Sequence, residues 1–476
     1  MIYIGKIIQV LGTTSDSGKT TVAMALCRYY SDLGFRVAPF KAVNMSLNSI
    51  SIRNDGEISR AQWLQALAAR TEPDVHMNPY ILKPEGSGKS QLIELGKSKG
   101  SMPLNEYFNY LKMHAPDVIK KSLDYLLEHY DIIIAEGAGS PAEINMFGSD
   151  FANTFVSGIY NTPAILVADI DRGGVFASIY GTVKLMERPD LLKYIIINKM
   201  RGDTSILETG INKIEELTGK KIIGIVKYTN INLPGEDSMN YNNSKLYSRN
   251  VAIIKYPHME NYSDFDPLYL FGIGYNYVDK NNVDDILDAK IIVLPGSKLV
   301  YSDLEYIKNH GIYEKIMEMS GKSIIIGICG GYQMLGNKIM DPHRIESEQT
   351  EYTGLNLLDA VTYYNEKKTA RGVTYRLNSK LFGNTSFFNG YEIHFGSVYD
   401  QNDAPLNELC GGYEGSINKN VIGTNIHGIF ENTEFLEYLF GLKFQNYNSI
   451  LNNNIDTISR SIISGINEKY LKELIL

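Results

Sequence analysis

Short apolar runs alternate with helix-like patterns through the first half of the chain, the rhythm of a parallel sheet with helices on both faces. Several runs lack alternating polar positions, as expected for strands that are buried on both sides. The predicted strands are Ile7–Leu11, Arg36–Phe40, Ile132–Ala135, Ala164–Ala168, Tyr194–Ile197 and Ile222–Val226. The predicted helices are Lys19–Leu33, Ile58–Ala69 and Pro116–His129. This half is therefore expected to be a doubly wound α/β domain.

A second alternating series follows a stretch of different character. Asn230–Asn250 has little periodicity and contains Pro-Gly together with many asparagine and serine residues, which indicates a linker. Later residues, at 351–399, are richer in strand and turn patterns, and a helix is predicted from Asp456 to the end. The new predicted strands are Val251–Ile254, Ile291–Leu294 and Ile324–Ile328. We expect a first domain at 1–230, a linker at 231–250, a second α/β domain at 251–446 and a helical tail at 447–476.

Size and composition agree with two domains and exclude some function classes. A chain of 476 residues exceeds one ordinary core. Its net charge of −8 gives no overall field to attract nucleic acid. The three cysteines lie far apart without metal-ligand spacing, so we expect a reduced, cytoplasmic setting. The apolar N-terminus is interpreted as a first strand, and no apolar run reaches the roughly 18–20 residues that span a bilayer.

The first candidate site is a glycine-rich loop between a predicted strand and a predicted helix. In such loops backbone N–H groups and a helix N-terminus cradle phosphate. Lys19 is expected to contact the β- and γ-phosphates of ATP, and the Thr20 hydroxyl to ligate Mg²⁺. The usual pattern has glycine at the position of Thr13, whereas here Gly12 stands one residue earlier; a turn without nucleotide is the alternative. The candidate nucleotide-binding residues are Gly12, Thr13, Ser17, Gly18, Lys19, Thr20 and Thr21.

Polar residues at other strand ends are candidates for the same site, because ligands bind at the carboxyl ends of parallel strands. Glu136 is predicted to be a second Mg²⁺ ligand, and Asp169 or Asp171 a further one. Asn198 could contact the adenine edge. Each has a plain structural alternative, a helix cap for the acids and a turn for the asparagine.

The second candidate site surrounds Cys329, which follows a predicted strand with a glycine two residues before it and another two residues after it. This spacing allows the sharp strand-to-helix turn of a nucleophile elbow. A helix N-terminus favours the thiolate, and the Gly330 N–H could stabilise an oxyanion. A second donor could come from the turn Pro295–Ser297, in which Gly296 is the candidate. His427 is the best candidate for the general base. The alternative, a small core cysteine, is the interpretation that we give to Cys27.

Besides these two sites, the chain contains further distinctive segments. Together with the two motifs they are Pro39–Ser49, Asp55–Gln62, Met77–Pro79, Leu82–Pro84, Glu136–Asn145, Asp169–Ser178, Ile197–Asp203, Asn261–Leu268, Pro295–Lys298, Gly327–Gln333, Gly390–His394 and Gly423–Gly428. In these segments the chain resembles the cobyric acid synthase family of glutamine-dependent amidases. The resemblance implies an N-terminal P-loop domain of the dethiobiotin-synthetase-like kind and a C-terminal class I glutamine-amidotransferase-like domain. It implies that ATP, Mg²⁺ and glutamine serve to amidate the b, d, e and g carboxylates of (adenosyl)cobyrinic acid a,c-diamide, a corrinoid.

The resemblance also implies site residues. Cys329 and His427 match the nucleophile and base of the family, which is known for lacking the acid that related enzymes place two residues after the histidine. Ile429 stands there, so what orients His427 is open. The residues expected to meet the corrinoid are Lys41, Asn44, Asn48, Arg60 and Lys83.

Two other functions remain alternatives. The related cobyrinic acid a,c-diamide synthase amidates other carboxylates of the corrinoid, and the stretch Lys41–Ser49 argues against it. A regulatory P-loop ATPase with an inactive amidotransferase domain would act by assembling on a partner. The intact elbow and His427 argue against that function. No oligomeric state is predicted.

Overall fold

A computed structural model describes residues 5–52, 56–86, 88–229, 233–234, 251–400 and 402–476. The chain forms two compact units. The first comprises Met1–Ser46, Ile58–Glu236 and Leu451–Leu476, and the second comprises Leu47–Glu57 and Asp237–Ile450. Apart from residues 233 and 234, the predicted linker at 231–250 lies outside the described residues.

The helices and strands follow the alternation expected from the sequence. The α-helices are Lys19–Asp32, Arg60–Ala69, Leu104–His129, Thr154–Ile159, Val175–Leu185, Glu208–Thr218, Asp266–Leu270, Val300–Asn309, Ile312–Met319, Gly330–Leu335, Ser379–Phe382, Thr433–Phe440, Tyr447–Ser464 and Glu468–Glu473. The strands are Lys6–Gly12, Val37–Phe40, Val43–Met45, Ser49–Ile52, Gly56–Ser59, Tyr80–Gly86, Lys89–Glu94, Lys97–Pro103, Ile132–Glu136, Ala164–Asp169, Leu192–Met200, Lys221–Lys227, Val251–Ile254, Met259–Glu260, Tyr275–Val278, Ile291–Leu294, Gly296–Ser297, Ile324–Ile328, Lys338–Met340, Glu351–Thr353, Ala360–Leu377, Phe388–Asp400, Asn407–Leu409, Gly412–Glu414, Ser416–Asn418 and Val421–Thr424.

The first unit is built on a six-stranded parallel sheet, as predicted. Lys6–Gly12 lies inside it between Ala164–Asp169 and Ile132–Glu136. The carboxyl end of Lys6–Gly12 therefore lies between two strand ends that carry acids, Asp169 and Glu136. A four-stranded sheet that starts at Val43–Met45 and includes the hairpins of residues 80–103 was not predicted.

One predicted helix begins earlier than expected. Leu104–His129 runs through Pro116 rather than starting there. Buried residues at Tyr107, Leu111 and Ala115 extend the apolar stripe of Ile119 and Leu123 toward the N-terminus, so packing outweighs the hydrogen bond that a proline removes. None of the helices in the described ranges combines the length and apolarity that crossing a bilayer would require.

The second unit contains its own six-stranded sheet, in which Ile324–Ile328 lies between Ile291–Leu294 and Val421–Thr424. All of its pairings are parallel except that of the edge strand Ser416–Asn418. A second, largely antiparallel sheet is dominated by the pair Ala360–Leu377 and Phe388–Asp400, in the region expected to be rich in strand. Two α/β units, each with helices around a mainly parallel sheet, confirm the predicted fold class.

The domain boundaries differ from the predicted ones at two places. Leu47–Glu57 groups with the second unit, and the tail from Leu451 groups with the first. The tail helix begins at Tyr447 rather than at Asp456. Its side chains at 451, 455, 458 and 462 form a buried apolar stripe, which must pack against another surface. After the helix, the backbone of Ile466 forms an isolated β-bridge with Gly224, on the edge strand of the first sheet. The tail is thus part of the first unit.

Candidate active site

The glycine-rich loop follows Lys6–Gly12 and leads into the helix Lys19–Asp32. A side chain on Gly12 would place its Cβ only 2.4 Å from Ser17 Oγ, so the loop can close only over glycine. The Ser17 hydroxyl is buried and has no hydrogen-bond partner in the described part of the protein. An orphaned donor beside a helix N-terminus fits a phosphate group.

The lysine of this loop donates hydrogen bonds to two backbone carbonyl oxygens. Lys19 Nζ donates to the backbone oxygens of Thr14 at 2.9 Å and Gly139 at 3.0 Å. Thr13 is buried, whereas the crest of the loop at residues 14–16 is exposed. The ammonium group therefore lies over the loop, where a phosphate could take the place of the two carbonyl groups.

Glu136 is the centre of a buried polar cluster at the neighbouring strand end. Its carboxylate accepts hydrogen bonds from Thr20 Oγ1 at 2.8 Å, Lys41 Nζ at 2.9 Å and Gln65 Nε2 at 2.6 Å. Thr20 and Glu136 are thus adjacent, as predicted for two ligands of one cation. The described residues contain no group of three or more acids, histidines and cysteines that could hold a metal by itself. Mg²⁺ commonly uses one or two carboxylates together with substrate phosphates, so the pair fits that ion.

Two other predicted residues hold the loop instead. Asp169 forms an ion pair with Lys199 at 2.9 Å and accepts the N–H of Asp171. Asn198 Nδ2 donates to the Ser17 carbonyl at 2.9 Å, and a Cβ on Gly18 would lie 2.1 Å from that nitrogen. These contacts differ from the helix cap and the turn that were the structural alternatives, and metal binding by Asp169 and adenine recognition by Asn198 stay predictions.

The five residues expected to meet the corrinoid are all buried and are divided between the two units. Lys41, Asn44, Arg60 and Lys83 belong to the first unit and are all buried, Lys83 completely. The guanidinium carbon of Arg60 lies 4.1 Å from the ring centroid of Trp63. Asn48 is equally buried but belongs to the second unit, because the chain leaves the first unit after Ser46.

In the second unit, Cys329 occupies a strained turn between Ile324–Ile328 and the helix that starts at Gly330. Its φ of +52° lies in the left-handed region that non-glycine residues rarely adopt. A Cβ on Gly331 would lie 1.9 Å from the Leu294 carbonyl oxygen, so only glycine fits there. The geometry is that of the predicted elbow, which fixes the thiol above the sheet.

Asp264 and Tyr391 hold His427 in place. Its Nδ1 lies 2.7 Å from Asp264 Oδ2, and the second oxygen of that carboxylate accepts the Gly428 N–H at 2.9 Å. The ring stacks on Tyr391, whose backbone pairs with that of His427. Asp264 thus orients the histidine, which answers the question that the absent acid at Ile429 raised. It lies 163 residues before His427, and only its place in the family-like segment Asn261–Leu268 could have pointed to it.

The electrostatics of this cluster favour a charged histidine. Burial by itself would lower the pKa of His427, but the Asp264 carboxylate and the sulfur of Cys329, which also hydrogen-bonds the ring, raise it well above its ordinary value. As a thiol, Cys329 donates to the Ile393 carbonyl at 3.4 Å. An imidazolium next to the sulfur stabilises the thiolate, the reactive form of cysteine.

The backbone geometry near the elbow favours a different second oxyanion donor from the predicted Gly296. Met259–Glu260 and Gly296–Ser297 form a short antiparallel ribbon, and Lys298 N–H donates to His258 O at 2.8 Å. In an antiparallel ribbon, hydrogen-bonded and non-hydrogen-bonded residue pairs alternate. Since Lys298 bonds to His258, the next hydrogen-bonded pair is Gly296 with Glu260. The Ser297 N–H therefore points out of the ribbon. A Cβ on Gly330 would lie 2.8 Å from Ser297 N, so this amide lies beside the elbow. The geometry favours Ser297 over Gly296.

A pocket next to the thiol carries both signs of charge, with Lys298 and Lys368 beside the buried carboxylate of Glu346. Burial raises the pKa of Glu346 to about 7, although Tyr364 and two backbone N–H groups donate to it. His394 also lines the pocket. Its Nδ1 lies 2.6 Å from the Gly396 carbonyl and must donate, while its buried Nε2 has no partner in the described structure.

Similarity to known proteins covers nearly the whole chain. A family described as CobQ/CobB/MinD/ParA nucleotide binding domain matches residues 8–238, and a CobB/CobQ-like glutamine amidotransferase domain matches residues 250–435. Probable cobyric acid synthases of Picrophilus torridus and Thermoplasma acidophilum are 56% and 52% identical, over 99% and 96% of this chain and 99% and 97% of theirs. One from Methanocaldococcus jannaschii is 42% identical over 92% of both chains. The chain therefore belongs to the cobyric acid synthase family of amidotransferase enzymes.

Proposed function

We propose that this protein uses ATP and glutamine to convert the b, d, e and g carboxylates of (adenosyl)cobyrinic acid a,c-diamide into primary amides. The family and its two matched domains support the reaction class. The observation that carries the proposal is the placement of His427 between Asp264 and Cys329, because an inactive amidotransferase domain would not need a thiol with a charged, oriented histidine.

Glutamine hydrolysis starts at the sulfur. The Cys329 thiolate attacks the carboxamide carbon, and the N–H groups of Gly330 and Ser297 stabilise the oxyanion. His427 protonates the departing nitrogen, so the C–N bond breaks and ammonia leaves. Water, deprotonated by His427, then attacks the thioester, breaks the C–S bond and releases glutamate. Asp264 keeps the imidazole in the orientation that both proton transfers need.

The charges of the pocket suit the amino-acid part of glutamine. Glu346 attracts the α-ammonium group, and Lys298 or Lys368 attracts the α-carboxylate. His394 supplies a different contact: since its Nδ1–H is engaged by a carbonyl, its Nε2 is an acceptor. That nitrogen can accept a hydrogen bond from the carboxamide N–H of glutamine, which glutamate lacks.

The phosphate loop activates the acceptor. Lys19 and the loop N–H groups bind the phosphates of ATP, and Thr20 and Glu136 would hold Mg²⁺, which supplies charge neutralisation there. A substrate carboxylate attacks the γ-phosphorus, the bond to the bridging oxygen breaks, ADP leaves and an acyl phosphate forms. This activation is needed because a free carboxylate is a poor electrophile. Ammonia attacks the acyl carbon and phosphate leaves. Lys41, already paired with Glu136, is the residue proposed to meet the reacting carboxylate, while Asn44, Arg60 and Lys83 support it from buried positions.

Two substitutions test this division of labour. Cys329→Ala should abolish amidation with glutamine but preserve amidation with ammonium, whereas Lys19→Ala should abolish both. Cys410→Ala, which changes an exposed cysteine, is the matched control. Mass spectrometry of the corrinoid product counts the amides added. Unchanged glutamine use by Cys329→Ala would disprove the assignment of the nucleophile.

A further inference from the structure

Asp303 is a fully buried carboxylate next to the second oxyanion donor of the candidate active site. It lies in the helix Val300–Asn309, which begins shortly after Ser297. The start of this helix also borders the elbow, because a Cβ on Gly330 would lie 3.0 Å from Val300 Cγ2. Asp303 takes no part in the proton transfers proposed above. Since a buried carboxylate is costly unless it is hydrogen-bonded, its contacts indicate what it does.

The two carboxylate oxygens of Asp303 contact both sides of the short ribbon. Oδ2 accepts the Ser297 hydroxyl at 2.6 Å. Oδ1 accepts the His258 N–H at 3.1 Å and lies 2.9 Å from His258 Nδ1. Ser297 belongs to one strand of the ribbon, and His258 immediately precedes the other strand, Met259–Glu260. Asp303 therefore joins the two strands by contacts that are separate from their backbone pairing.

The imidazole of His258 supports the same carboxylate. The hydrogen bond to Asp303 raises the pKa of His258 above its ordinary value; partial burial opposes this effect, and the charges of Asp303 and Glu346 add to it. The His258 side chain is 26% exposed, whereas Asp303 is completely buried. The cationic form of His258 therefore offsets the buried charge that the Ser297 hydroxyl contacts.

The Ser297 N–H needs such support because the backbone pairing of the ribbon fixes it only indirectly. The residues on either side, Gly296 and Lys298, make the hydrogen bonds of the ribbon, so the Ser297 N–H points outward. This N–H belongs to the peptide group that follows Gly296, and glycine restricts the rotation of that group less than other residues do. The bond from the Ser297 side chain to Asp303 adds a restraint on the same residue.

We propose that Asp303 is a positioning residue for glutamine hydrolysis, which holds the Ser297 side chain and thereby keeps the Ser297 N–H directed at the oxyanion. This inference rests on the proposed function. Negative charge builds up on the glutamine oxygen only as the tetrahedral intermediate forms. Donors that are already oriented, here the N–H groups of Gly330 and Ser297, stabilise that charge without having to reorganise. Asp303 thus acts on the reaction through Ser297.

This role predicts a distinctive kinetic effect. An oxyanion donor acts in the transition state, so its loss lowers kcat and leaves KM nearly unchanged. Reactions of the thiol that build no oxyanion are not slowed. Iodoacetamide gives such a reaction: the Cys329 thiolate attacks its methylene carbon, the S–C bond forms, the C–I bond breaks and iodide leaves. A change in the pair of His427 with Asp264, in contrast, should slow both reactions.

The first test removes the hydroxyl of Ser297. Ser297→Ala takes away one oxygen atom and no charge, and it keeps the N–H. Loss of a whole oxyanion donor lowers kcat by about 10²–10³, so a donor that stays but is no longer held should lower it by about 10- to 100-fold. Glutamate release is measured with ATP, Mg²⁺ and the diamide present, and KM should change by less than about twofold. Alkylation of Cys329 by iodoacetamide, followed by mass spectrometry, should proceed at the rate of the parent.

Ser323→Ala is the matched control. Ser323 is 2% exposed, and its hydroxyl donates to the Ala289 carbonyl at 2.6 Å, so this variant also loses one short, buried hydrogen bond. Ser323 precedes the strand Ile324–Ile328 and lies at the opposite end of it from the elbow. Glutamate release by this variant should equal that of the parent. A loss as large as that of Ser297→Ala would overturn the proposal, because any missing buried hydroxyl would then slow the reaction.

The second test asks whether Asp303 acts through Ser297. Asp303→Asn leaves one oxygen for three donors and adds a donor of its own, so this variant should also lower kcat at unchanged KM. In the double variant with Ser297→Ala, kcat should stay within about twofold of the slower single variant, because both changes break the same contact. Losses that multiply would show that Asp303 acts by another route and would overturn the proposal.

The outcomes separate this proposal from the proposed function. A parent that releases no glutamate and adds no amides contradicts the proposed function. With an active parent, a kcat of Ser297→Ala within about twofold of the parent value overturns the positioning role alone. So does an equal slowing of alkylation and hydrolysis, which would indicate a general disturbance of the site. Ser297→Ala decides these points even if Asp303→Asn does not fold.

Discussion

The role of Asp264 can be tested by a single substitution, Asp264→Asn. Asparagine keeps the size of the side chain, and its Oδ1 can still accept the Gly428 N–H. Its amide nitrogen, however, would face Nδ1 of His427 as a donor, which forces that nitrogen to be an unprotonated acceptor. The imidazolium next to Cys329 is then lost, and with it a charge that would stabilise a thiolate during the reaction.

The size of the effect follows from the bond that is removed. A hydrogen bond to a charged group contributes about 1.5–3 kcal/mol. At about 1.4 kcal/mol per factor of ten, glutamine hydrolysis should slow by about 10- to 150-fold. The same free energy corresponds to about 1–2 pH units. Since Asp264 raises the pKa of His427, the alkaline limb of the pH profile for alkylation of Cys329 should move to lower pH by that amount.

The assay compares glutamate release with ammonium-driven amidation in the same preparation. The variant should lose the first and keep the second. Asp266→Asn is the matched control, because Asp266 is also a buried carboxylate, two residues further along the same segment. A loss of less than about threefold, or an equal loss in both activities, would refute the reasoning, since threefold is only about 0.7 kcal/mol.

Three further results are expected. Burial raises the pKa of Glu346 to about 7, so this carboxylate takes up a proton as pH falls through that range. The KM for glutamine should then rise, because the neutral group no longer attracts the α-ammonium group. In Glu346→Gln the KM should be high at every pH. His394→Ala should raise the KM for glutamine about tenfold, the effect of one lost hydrogen bond, and leave the use of ammonium unchanged. Ile458→Ala, in the buried stripe of the tail, should lower the stability of the first unit by about 2–5 kcal/mol in thermal unfolding, while exposed Arg460→Ala should not.

The fold was largely predictable because its central strands are apolar throughout. Runs such as Ile132–Ala135 and Ile324–Ile328 can only be buried on both faces, and turn residues bound them. The four-stranded sheet of the first unit was missed for the opposite reason. Its strand Lys97–Pro103 is exposed or half-buried along its length, so no hydrophobic pattern marks it.

The candidate active site was predictable only where chemistry depends on local spacing. The elbow around Cys329 and the loop around Lys19 are continuous in sequence, and glycine spacing reveals them. Asp264 could not be found in that way, because it meets His427 only through the fold. Within the turn Pro295–Ser297, the choice between Gly296 and Ser297 depends on the pairing register of a two-residue ribbon. Likewise, nothing in the pattern of Leu47–Glu57 shows that it packs with the second unit.

The charged groups of both sites already have partners of opposite charge or dipole, which bears on how ligands bind. Lys41 is paired with Glu136, Lys19 is held by two carbonyl oxygens, and Lys368 is paired with Glu57. A buried charge without a partner costs several kcal/mol. Without ligand, each of these charges therefore needs a partner from the protein, and the ligand later takes the place of that partner. Binding therefore exchanges contacts instead of adding them. Each exchange releases a side chain of the protein, which can then make a contact that it does not make without the ligand.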